Sequence, residues 1–431
     1  MKFAAFSAAA LLSMAATSAQ AADLGGNCCA DLEERIAELE ATTARKGNRK
    51  VSLTISGWVA EQIGYWDTGE ESNVYVGGIG GTLSSHVKFT GGAKIDADNS
   101  VGYVLHLRAI STNIFGVSED NDNSAAANST AVYYSYWFVK NEKLGKVSVG
   151  QQSQASDNAA IVPDQSGTLV AANWAMFDGS AFQLSRGGVG VKDVFDTRVN
   201  LGHASFCGFV GLGTAGDCTA IPTSNIRYDS PTFGGFSVSA TWGEDDLWDV
   251  AARYSGEVGG FKLGAGISYA ETTDENFTVG TTFNKKRSEF FQVGAYAQHV
   301  ASGLFVYGAY GKEDNNSIVN VTGAGAQPFT ADGDRFYVKA GIIQKWNALG
   351  NTVLWGEYAE SNDMFGPALA ASGVTGSEFQ QWGLGALQQI DAAAMSVWLK
   401  YRHYDIDLEG GALAGSYDSY NTVILGGLIN F

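Results

Sequence analysis

The sequence predicts an all-β fold, a sixteen-stranded antiparallel transmembrane β-barrel. Three observations support it: a period of two in hydrophobicity from Val51 to Phe431, turn residues at regular intervals, and a composition rich in Gly and aromatic residues. Successive side chains of a strand point to opposite faces, so this period describes a wall with one apolar and one polar face. About sixteen such segments follow one another, enough for a barrel that encloses water.

The stretch from Tyr420 to Phe431 is the clearest of these segments. One of its faces carries Val423, Leu425, Gly427, Ile429 and Phe431. A free apolar edge strand invites aggregation, and a closed barrel removes that edge. We therefore expect barrel closure here, with Phe431 at the seam between the last and the first strand. An ordinary β-sandwich strand is the alternative.

The composition excludes several classes of protein. The chain of 431 residues has 55 Gly and only 5 Pro, with 12% aromatic and 17% charged residues. No apolar run reaches the roughly 18 residues of a transmembrane helix, so a helical membrane protein is not expected. The net charge of -18 argues against a nucleic-acid partner. Membrane lipid is the expected partner of the outer face.

Residues 1–21 are predicted to be a secretory signal peptide. A basic start at Lys2 precedes an apolar run over 3–16, and Ala19-Gln-Ala21 is a suitable cleavage site. A true membrane helix is the weaker alternative, because the apolar run is short and has no stop-transfer flank.

Residues 22–50 are predicted to be a periplasmic N-terminal segment with a short coiled-coil-like helix. The helix follows Cys28 and Cys29, and its seam consists of Leu32, Ile36, Leu39 and Thr43. About two heptads do not hold a coiled coil alone, so a solvated helix is the alternative. In an oxidising compartment the two cysteines either cross-link protomers or stay free.

The barrel is predicted to span residues 51–431, with short turns alternating with long polar loops. The predicted short turns are 96–99, 141–144, 231–235, 257–260, 301–303, 347–350 and 391–393. The predicted long loops are 113–129, 153–223, 271–286, 312–333, 361–377 and 405–417. Short turns at one rim and long loops at the other are typical of barrels in the outer membrane.

Several stretches together resemble the alphaproteobacterial porin family, the trimeric general porins of that bacterial group. They are residues 28–40, 45–57, 87–91, Leu144-Gly-Lys-Val-Ser-Val-Gly150, residues 227–237 and the final Phe431. The resemblance implies a sixteen-stranded barrel in the outer membrane of a Gram-negative bacterium and a homotrimer. It also implies a passive pore for ions and small hydrophilic solutes, without a cofactor.

The same resemblance assigns an inward-folded constriction loop to the segment after the fifth strand, at about residues 153–190. The fifth strand reads Gly145-Lys-Val-Ser-Val-Gly-Gln-Gln152. Its loop acids Asp157, Asp164 and Asp178 would face a basic wall, and exposure at the surface is the alternative for each. Opposed charged walls filter solutes by size and charge.

The cost of a charge in lipid predicts which strand residues face the lumen. A Lys or Arg at the bilayer midplane costs about 2–4 kcal/mol, so the polar phase of each strand must point inward. This phase places Lys88, Arg108, Lys400 and Arg402 in the lumen, where we expect one basic wall at the constriction; Lys339 is inside by the same argument. The alternative is that these charges are merely solvated.

Cys207 and Cys218 would close a small loop, and a disulfide is expected in an oxidising compartment. Free thiols and a metal site are the alternatives. Neither a CxxC spacing nor a neighbouring pair of His residues supports a metal.

No sequence motif indicates an enzyme. The chain has no GxSxG, HExxH or phosphate-loop motif, so no catalytic residue is assigned. A substrate-specific outer-membrane channel is the second interpretation. A barrel-type outer-membrane hydrolase, with a Ser–His pair formed only in space, and a structural anchor are weaker ones.

Overall fold

The computed structural model describes residues 50–80, 83–110, 116–121, 129–174, 178–186, 198–204, 219, 221–243, 246–273, 277–279, 282–284, 287–321, 325–366, 369–370 and 372–431. The predicted signal peptide, the N-terminal helix and the cysteines Cys28, Cys29, Cys207 and Cys218 lie outside these residues. Within them, no helix is long and apolar enough to cross a membrane.

The described chain is all-β, and sixteen of its strands form one antiparallel wall. In chain order these are β1 Thr54–Asp67, β2 His86–Lys94, β3 Asn99–Ile110, β4 Ser129–Asn141, β5 Gly145–Gln152, β6 Thr223–Asp229, β7 Phe236–Gly243, β8 Trp248–Val258, β9 Phe261–Thr272, β10 Ser288–His299, β11 Leu304–Val321, β12 Gly325–Asn347, β13 Gly350–Asn362, β14 Gly376–Ile390, β15 Met395–Glu409 and β16 Tyr420–Asn430.

The wall is a closed ring. Each strand pairs with its neighbours in sequence, and β16 pairs with β1 from Asn430 opposite Trp58 to Asn421 opposite Asp67. Beyond that register, Gly57 and Phe431 exchange two backbone hydrogen bonds of 3.0 Å. The closed ring therefore leaves no free edge between the last and first strands.

Shorter elements complete the described fold. The strand Ser72–Gly78 pairs with β1, and Gly415–Ser416 pairs with β15. Two small hairpins stand apart from the ring, Gln183–Leu184 with Val199–Asn200 and Phe277–Val279 with Thr282–Asn284. The short helices are α1 Leu169–Ala172 and the 3-10 turns Leu201–Ala204 and Asp391–Ala393.

The seven predicted short turns are confirmed in position, because the chain turns within or next to each predicted range between two consecutive strands of the ring, and some predicted end residues belong to the strands. The β8–β9 turn shows why the sequence marks them. Gly259 and Gly260 have φ values of 59° and 80°. A two-residue hairpin turn that needs positive φ at both positions favours glycine at both.

The predicted loop at 312–333 is wrong. Strands β11 and β12 continue through most of it, from Asn315 opposite Ala331 to Val321 opposite Gly325. This hairpin extends past the neighbouring strands, because β13 begins its pairing with β12 at Asp334. The polar composition suggested a loop, but the β-branched Ile318, Val319 and Val321 favour an extended backbone.

Burial alternates along the strands, as the period of two predicts. In β15 the side chains of Trp398, Lys400 and Arg402 are buried, whereas Leu399 between them is 53% exposed. The large apolar side chains of the outer face thus point away from the interior of the ring. The buried core lies inside the ring, where Ile161, Ala172 and Phe182 belong to one cluster with inward aromatic side chains.

Candidate functional site

A segment that leaves the wall after β5 occupies this interior. It comprises the described residues 153–174 and 178–186, and we call it the inner segment. Its first residue is held by two strands: the Tyr134 hydroxyl of β4 lies 2.9 Å from Ser153 Oγ, and Arg227 of β6 donates to the Ser153 carbonyl at 3.1 Å. Arg227 also donates to the Gln154 carbonyl at 3.0 Å. These bonds set the direction in which the segment enters the barrel.

The next part of the inner segment is bound by side chains of β8 and β10. The Asp249 carboxylate accepts the backbone N–H of Ser156 at 2.7 Å and that of Ala155 at 3.2 Å. The Gln292 amide accepts from the Ala160 N–H at 3.0 Å and donates to the Ser156 carbonyl at 2.8 Å. Polar side chains of the strands thus supply hydrogen-bond partners for the backbone of a buried loop, which has no strand or helix partners of its own there.

Glycines of the wall let the segment lie against it. A Cβ added to Gly266 of β9 would sit 2.1 Å from the Ala159 carbonyl oxygen, and one added to Gly294 of β10 would sit 2.0 Å from that of Ala160. Both distances are far below van der Waals contact. A side chain at either position would therefore force the two backbones apart.

A buried ion pair fixes the middle of the inner segment to β12. The Lys339 ammonium lies 2.6 Å from Asp164 Oδ2, and neither side chain is exposed. Lys339 also donates to Thr168 Oγ1 at 2.9 Å and Asn173 Oδ1 at 2.7 Å, and Asn173 donates to Asp164 at 2.8 Å. All three donors of the ammonium are satisfied, as a buried charge requires.

The pKa of Asp164 is held below its usual value. Burial alone would raise the pKa, but the charge of Lys339 and the hydrogen bonds from Lys339 and Ser166 outweigh burial. A lowered pKa means that the pair stabilises the fold above the ordinary carboxyl pKa of about 3.9. That contribution is lost as the pH falls through the lower pKa of the folded state.

At acidic pH the wild-type chain should therefore lose the additional folding stability that it has over D164N at neutral pH. We expect the wild type to be the more stable chain from neutral pH down to about pH 4, with the difference shrinking at lower pH. Urea unfolding of both chains in lipid vesicles at a series of pH values measures it. A difference that stays constant down to about pH 2 would contradict the assignment.

A second buried network fixes the end of the inner segment to β15 and β13. Asp178 lies 2.6 Å from the Lys400 ammonium and also binds Arg402. Arg402 reaches on to Glu357 at 2.5 Å, which accepts a further bond from the Tyr337 hydroxyl. Lys400 donates to the Ala171 carbonyl at 2.9 Å. Charges of both signs are thus matched within one buried group.

The structure brings only some of the predicted site residues together. Asp178 contacts Lys400 and Arg402, while Asp164 contacts Lys339 instead of the four predicted bases. Asp157 accepts a bond of 2.7 Å from the Asn158 amide. All three acids are buried, with exposures of 6%, 4% and 2% for Asp157, Asp164 and Asp178.

Lys88 and Arg108 lie on a different part of the wall. They belong to β2 and β3, and β16 and β1 separate these strands from β15. Lys88 is opposite His106, and Arg108 is opposite His86 and over the Tyr133 ring at 5.4 Å.

Sequence reasoning missed several residues that hold the inner segment. They are Arg227, Asp249, Arg253, Gln292 and Glu357. Their signal is the one that revealed Lys339, a polar residue in the inward phase of a strand. In the described part of the chain, no group of three or more His, Cys, Asp or Glu residues is arranged to hold a metal ion.

Comparison with known families decides the assignment. A family model described as Gram-negative porin matches residues 7–425. The chain belongs to the Gram-negative porin family. No curated protein matches its sequence. The porin is an integral protein of the outer membrane and forms a diffusion channel. Family and fold indicate a channel rather than an enzyme.

Solved structures share the fold of this porin. The anion-selective porin from Comamonas acidovorans aligns with a TM-score of 0.56 and 15% identity, over 88% of this chain and 100% of that one. OmpF of Salmonella typhi, solved with daunomycin, has a TM-score of 0.51 and 14% identity, over 89% of this chain and 99% of that one. The outer membrane channel DcaP of Acinetobacter baumannii has a TM-score of 0.51 and 13% identity, over 90% of this chain and 100% of that one. At these identities the likeness concerns the fold alone.

Proposed function

We propose that this porin is a general, passive channel of the alphaproteobacterial group, for ions and small hydrophilic solutes. In this proposal the inner segment is the constriction loop and narrows a water-filled lumen. The observation that carries the proposal is the binding of the segment inside the closed ring, from Asp249 of β8 to Arg402 of β15. A segment bound to the wall inside the ring narrows the channel that the ring encloses.

The charged lining is proposed to set ion preference. Lys88, Arg108, Lys400 and Arg402 form its basic side, and Asp157, Asp164 and Asp178 form the acidic side on the loop. The ion pairs of Asp164 and Asp178 with strand bases indicate that most of the acidic charge is compensated locally. Lys88 and Arg108 then contribute most to the field in the open part of the lumen.

The double variant K88E/R108E should shift the reversal potential in a salt gradient towards cation preference. Each substitution replaces a positive lumen charge by a negative one, and the field at a constriction follows the charges that line it. Bilayer recordings under a KCl gradient measure the shift. An unchanged reversal potential would remove both residues from the constriction.

A homotrimer in outer-membrane lipid is the proposed assembly. One solved structure of similar fold, OmpT of Vibrio cholerae, is described as a trimer form; its TM-score is 0.51 at 12% identity, over 88% of this chain and 99% of that one. After removal of residues 1–21, the segment 22–50 with its short helix is proposed to be periplasmic. Three such helices in one assembly have a raised local concentration, which favours a small bundle.

A disulfide between Cys207 and Cys218 is also proposed, from their spacing in an oxidising compartment. Alkylation of the purified, unreduced protein should leave both thiols unmodified in mass spectrometry. Free alkylation of both under those conditions would exclude the bridge.

Single-channel recording in a planar bilayer tests the proposed function. A general trimeric porin should insert in steps of three equal conductances and show little saturation by sugars. Small currents blocked by one solute would instead identify a substrate-specific channel, the second candidate. Folded, inserted barrels that carry no current would exclude a pore.

A further inference from the structure

The inner face of β2 and β3 carries two histidines that the proposed function does not use. His86 and Lys88 alternate with outward residues on β2, and His106 and Arg108 do so on β3. The register sets His86 opposite Arg108 and Lys88 opposite His106. Each cation therefore faces an imidazole across the strand pair. We call these four residues the histidine patch.

The two imidazoles lie against each other and against aromatic rings. Their centroids are 4.1 Å apart with an interplanar angle of 40°. Trp58 of β1 is 4.2 Å from His86. Tyr133 and Tyr134 of β4 are each 5.2 Å from His106, because a register shift after His106 brings two consecutive residues of β4 to the same side. Such irregularities often direct side chains into functional sites.

One of the two buried imidazoles has a nitrogen without a polar partner in the part of the chain that the structure describes. His86 is 9% and His106 is 7% exposed. His86 Nδ1 lies 3.1 Å from the Ser84 carbonyl, but His106 Nδ1 is buried without a hydrogen-bond partner among the described residues. A buried polar nitrogen without a partner is costly, which indicates a group that is absent from the protein itself.

The charge around the patch is positive. The elements packed against the two histidines supply Trp58, the Ser84 carbonyl, Tyr133 and Tyr134, and the charged groups Lys88 and Arg108. Among the described residues, no carboxylate forms an ion pair with Lys88, and the carboxylate that acts on Tyr133 and Tyr134 is that of Asp157 on the inner segment. Asp164 and Asp178 are bound to β12 and β15. The residues of this site thus suit an anion, and a bound metal cation would meet like charges.

The patch also lies at the level of the inner segment. Tyr134, which contacts His106, holds Ser153 at the start of that segment through a hydroxyl contact of 2.9 Å. A solute that passes the narrowed part of the lumen therefore passes the patch. An anion held there would affect the current of the whole channel.

We propose that the histidine patch binds a tetrahedral oxyanion, such as sulfate, phosphate or a phosphomonoester, and that its imidazoles take up a proton as the anion binds. This inference rests on the proposed channel function and names a solute class for it. An ammonium, a guanidinium and two imidazoles are donors from several directions, which an anion with several oxygens accepts. A proton added beside Lys88 and Arg108 alone is repelled, whereas one added beside a bound dianion is attracted.

Sulfate inhibition of the KCl current, measured at about pH 8 and about pH 5.5, tests the site. Sulfate keeps both negative charges over this range, whereas an imidazole titrates within it, so a change in inhibition reports the protonation of the histidines. In the wild type we expect inhibition to be about tenfold stronger at the lower pH. K88M should weaken inhibition about tenfold at both pH values, the effect of one lost charged donor. H86Q/H106Q should lose the pH dependence and keep a weaker inhibition.

K345Q is the matched control for K88M. Like Lys88, Lys345 belongs to a strand of the wall, but it lies on β12, its side chain is 59% exposed, and it pairs with Asp391 at 3.5 Å. K345Q should be inhibited like the wild type. A normal KCl current that sulfate inhibits equally in the wild type, K88M and H86Q/H106Q would overturn the patch while the channel stands. Absence of any KCl current would overturn the proposed function itself.

Calorimetry of the folded protein in detergent provides a measurement that does not need a current. Titration with sodium sulfate in two buffers of different ionisation enthalpy should show proton uptake by the wild type. Sulfate binding without proton uptake, or no binding at either pH, would overturn the proposal for the wild-type chain even if a variant fails to fold.

Discussion

Replacing Asp178 with alanine should destabilise the folded barrel by about 3–5 kcal/mol, the usual cost of removing one partner of a buried ion pair. Lys400 would lose the only carboxylate that binds it among the described residues, and Arg402 would keep Glu357 alone. Both cations are buried, so leaving their charge without the carboxylate is costly. Urea unfolding in lipid vesicles measures the loss. In bilayers the freed end of the inner segment should make the open-channel current flicker.

D98A is the matched control for D178A. Asp98 pairs with Lys143 at 2.8 Å in an exposed turn, with side-chain exposures of 45% and 76%. An exposed pair of this kind contributes about 0–1 kcal/mol, so D98A should unfold almost like the wild type and give a steady current. The interpretation of Asp178 as a fixing residue fails if D178A and D98A are equally stable.

Replacing Lys339 with methionine should destabilise the barrel by a similar amount, about 3–5 kcal/mol at neutral pH. The substitution leaves the fully buried Asp164 without its cation, while Thr168 and Asn173 lose a donor. The pKa of Asp164 should then rise, because the charge that opposed burial is gone. K339M should therefore recover part of its stability, relative to the wild type, as the pH falls.

The double variant D164N/K339M distinguishes the contribution of the ion pair between Asp164 and Lys339 from that of side-chain packing. A neutral amide at position 164 no longer needs a cation, so the double variant should be more stable than K339M alone. K312M is the control, since Lys312 pairs with Asp314 in the open, with 47% and 43% exposure. A double variant no more stable than K339M would show that Lys339 acts by packing alone.

The architecture was largely predictable, because strand and turn signals are local. The inward phase of Lys339, Lys400 and Arg402 follows from the cost of charge in lipid, and their burial agrees with it. Glycine and asparagine marked the short turns. The hairpin of β11 and β12 escaped prediction because strands beyond the membrane do not need an apolar face, so the alternation weakens there.

The partners of the inner segment were not predictable by the same means. Whether Asp164 meets Lys339 or Lys88 depends on where the segment lies inside the ring, and no periodicity of the sequence records that. The contact of Gly294 with the Ala160 carbonyl shows the difficulty. This close approach joins two stretches that are far apart in the sequence, and neither stretch taken alone predicts it.

The seam between Gly57 and Phe431 has a consequence for how the protein is made. β1 is synthesised among the first elements of the barrel, yet one of its two edges has no partner until β16 exists. Unpaired backbone is not tolerated in lipid, so β1 must be shielded throughout translocation. A chain interrupted before β16 would carry two open edges, a state prone to aggregation. The wall is therefore complete only once β16 has paired with β1.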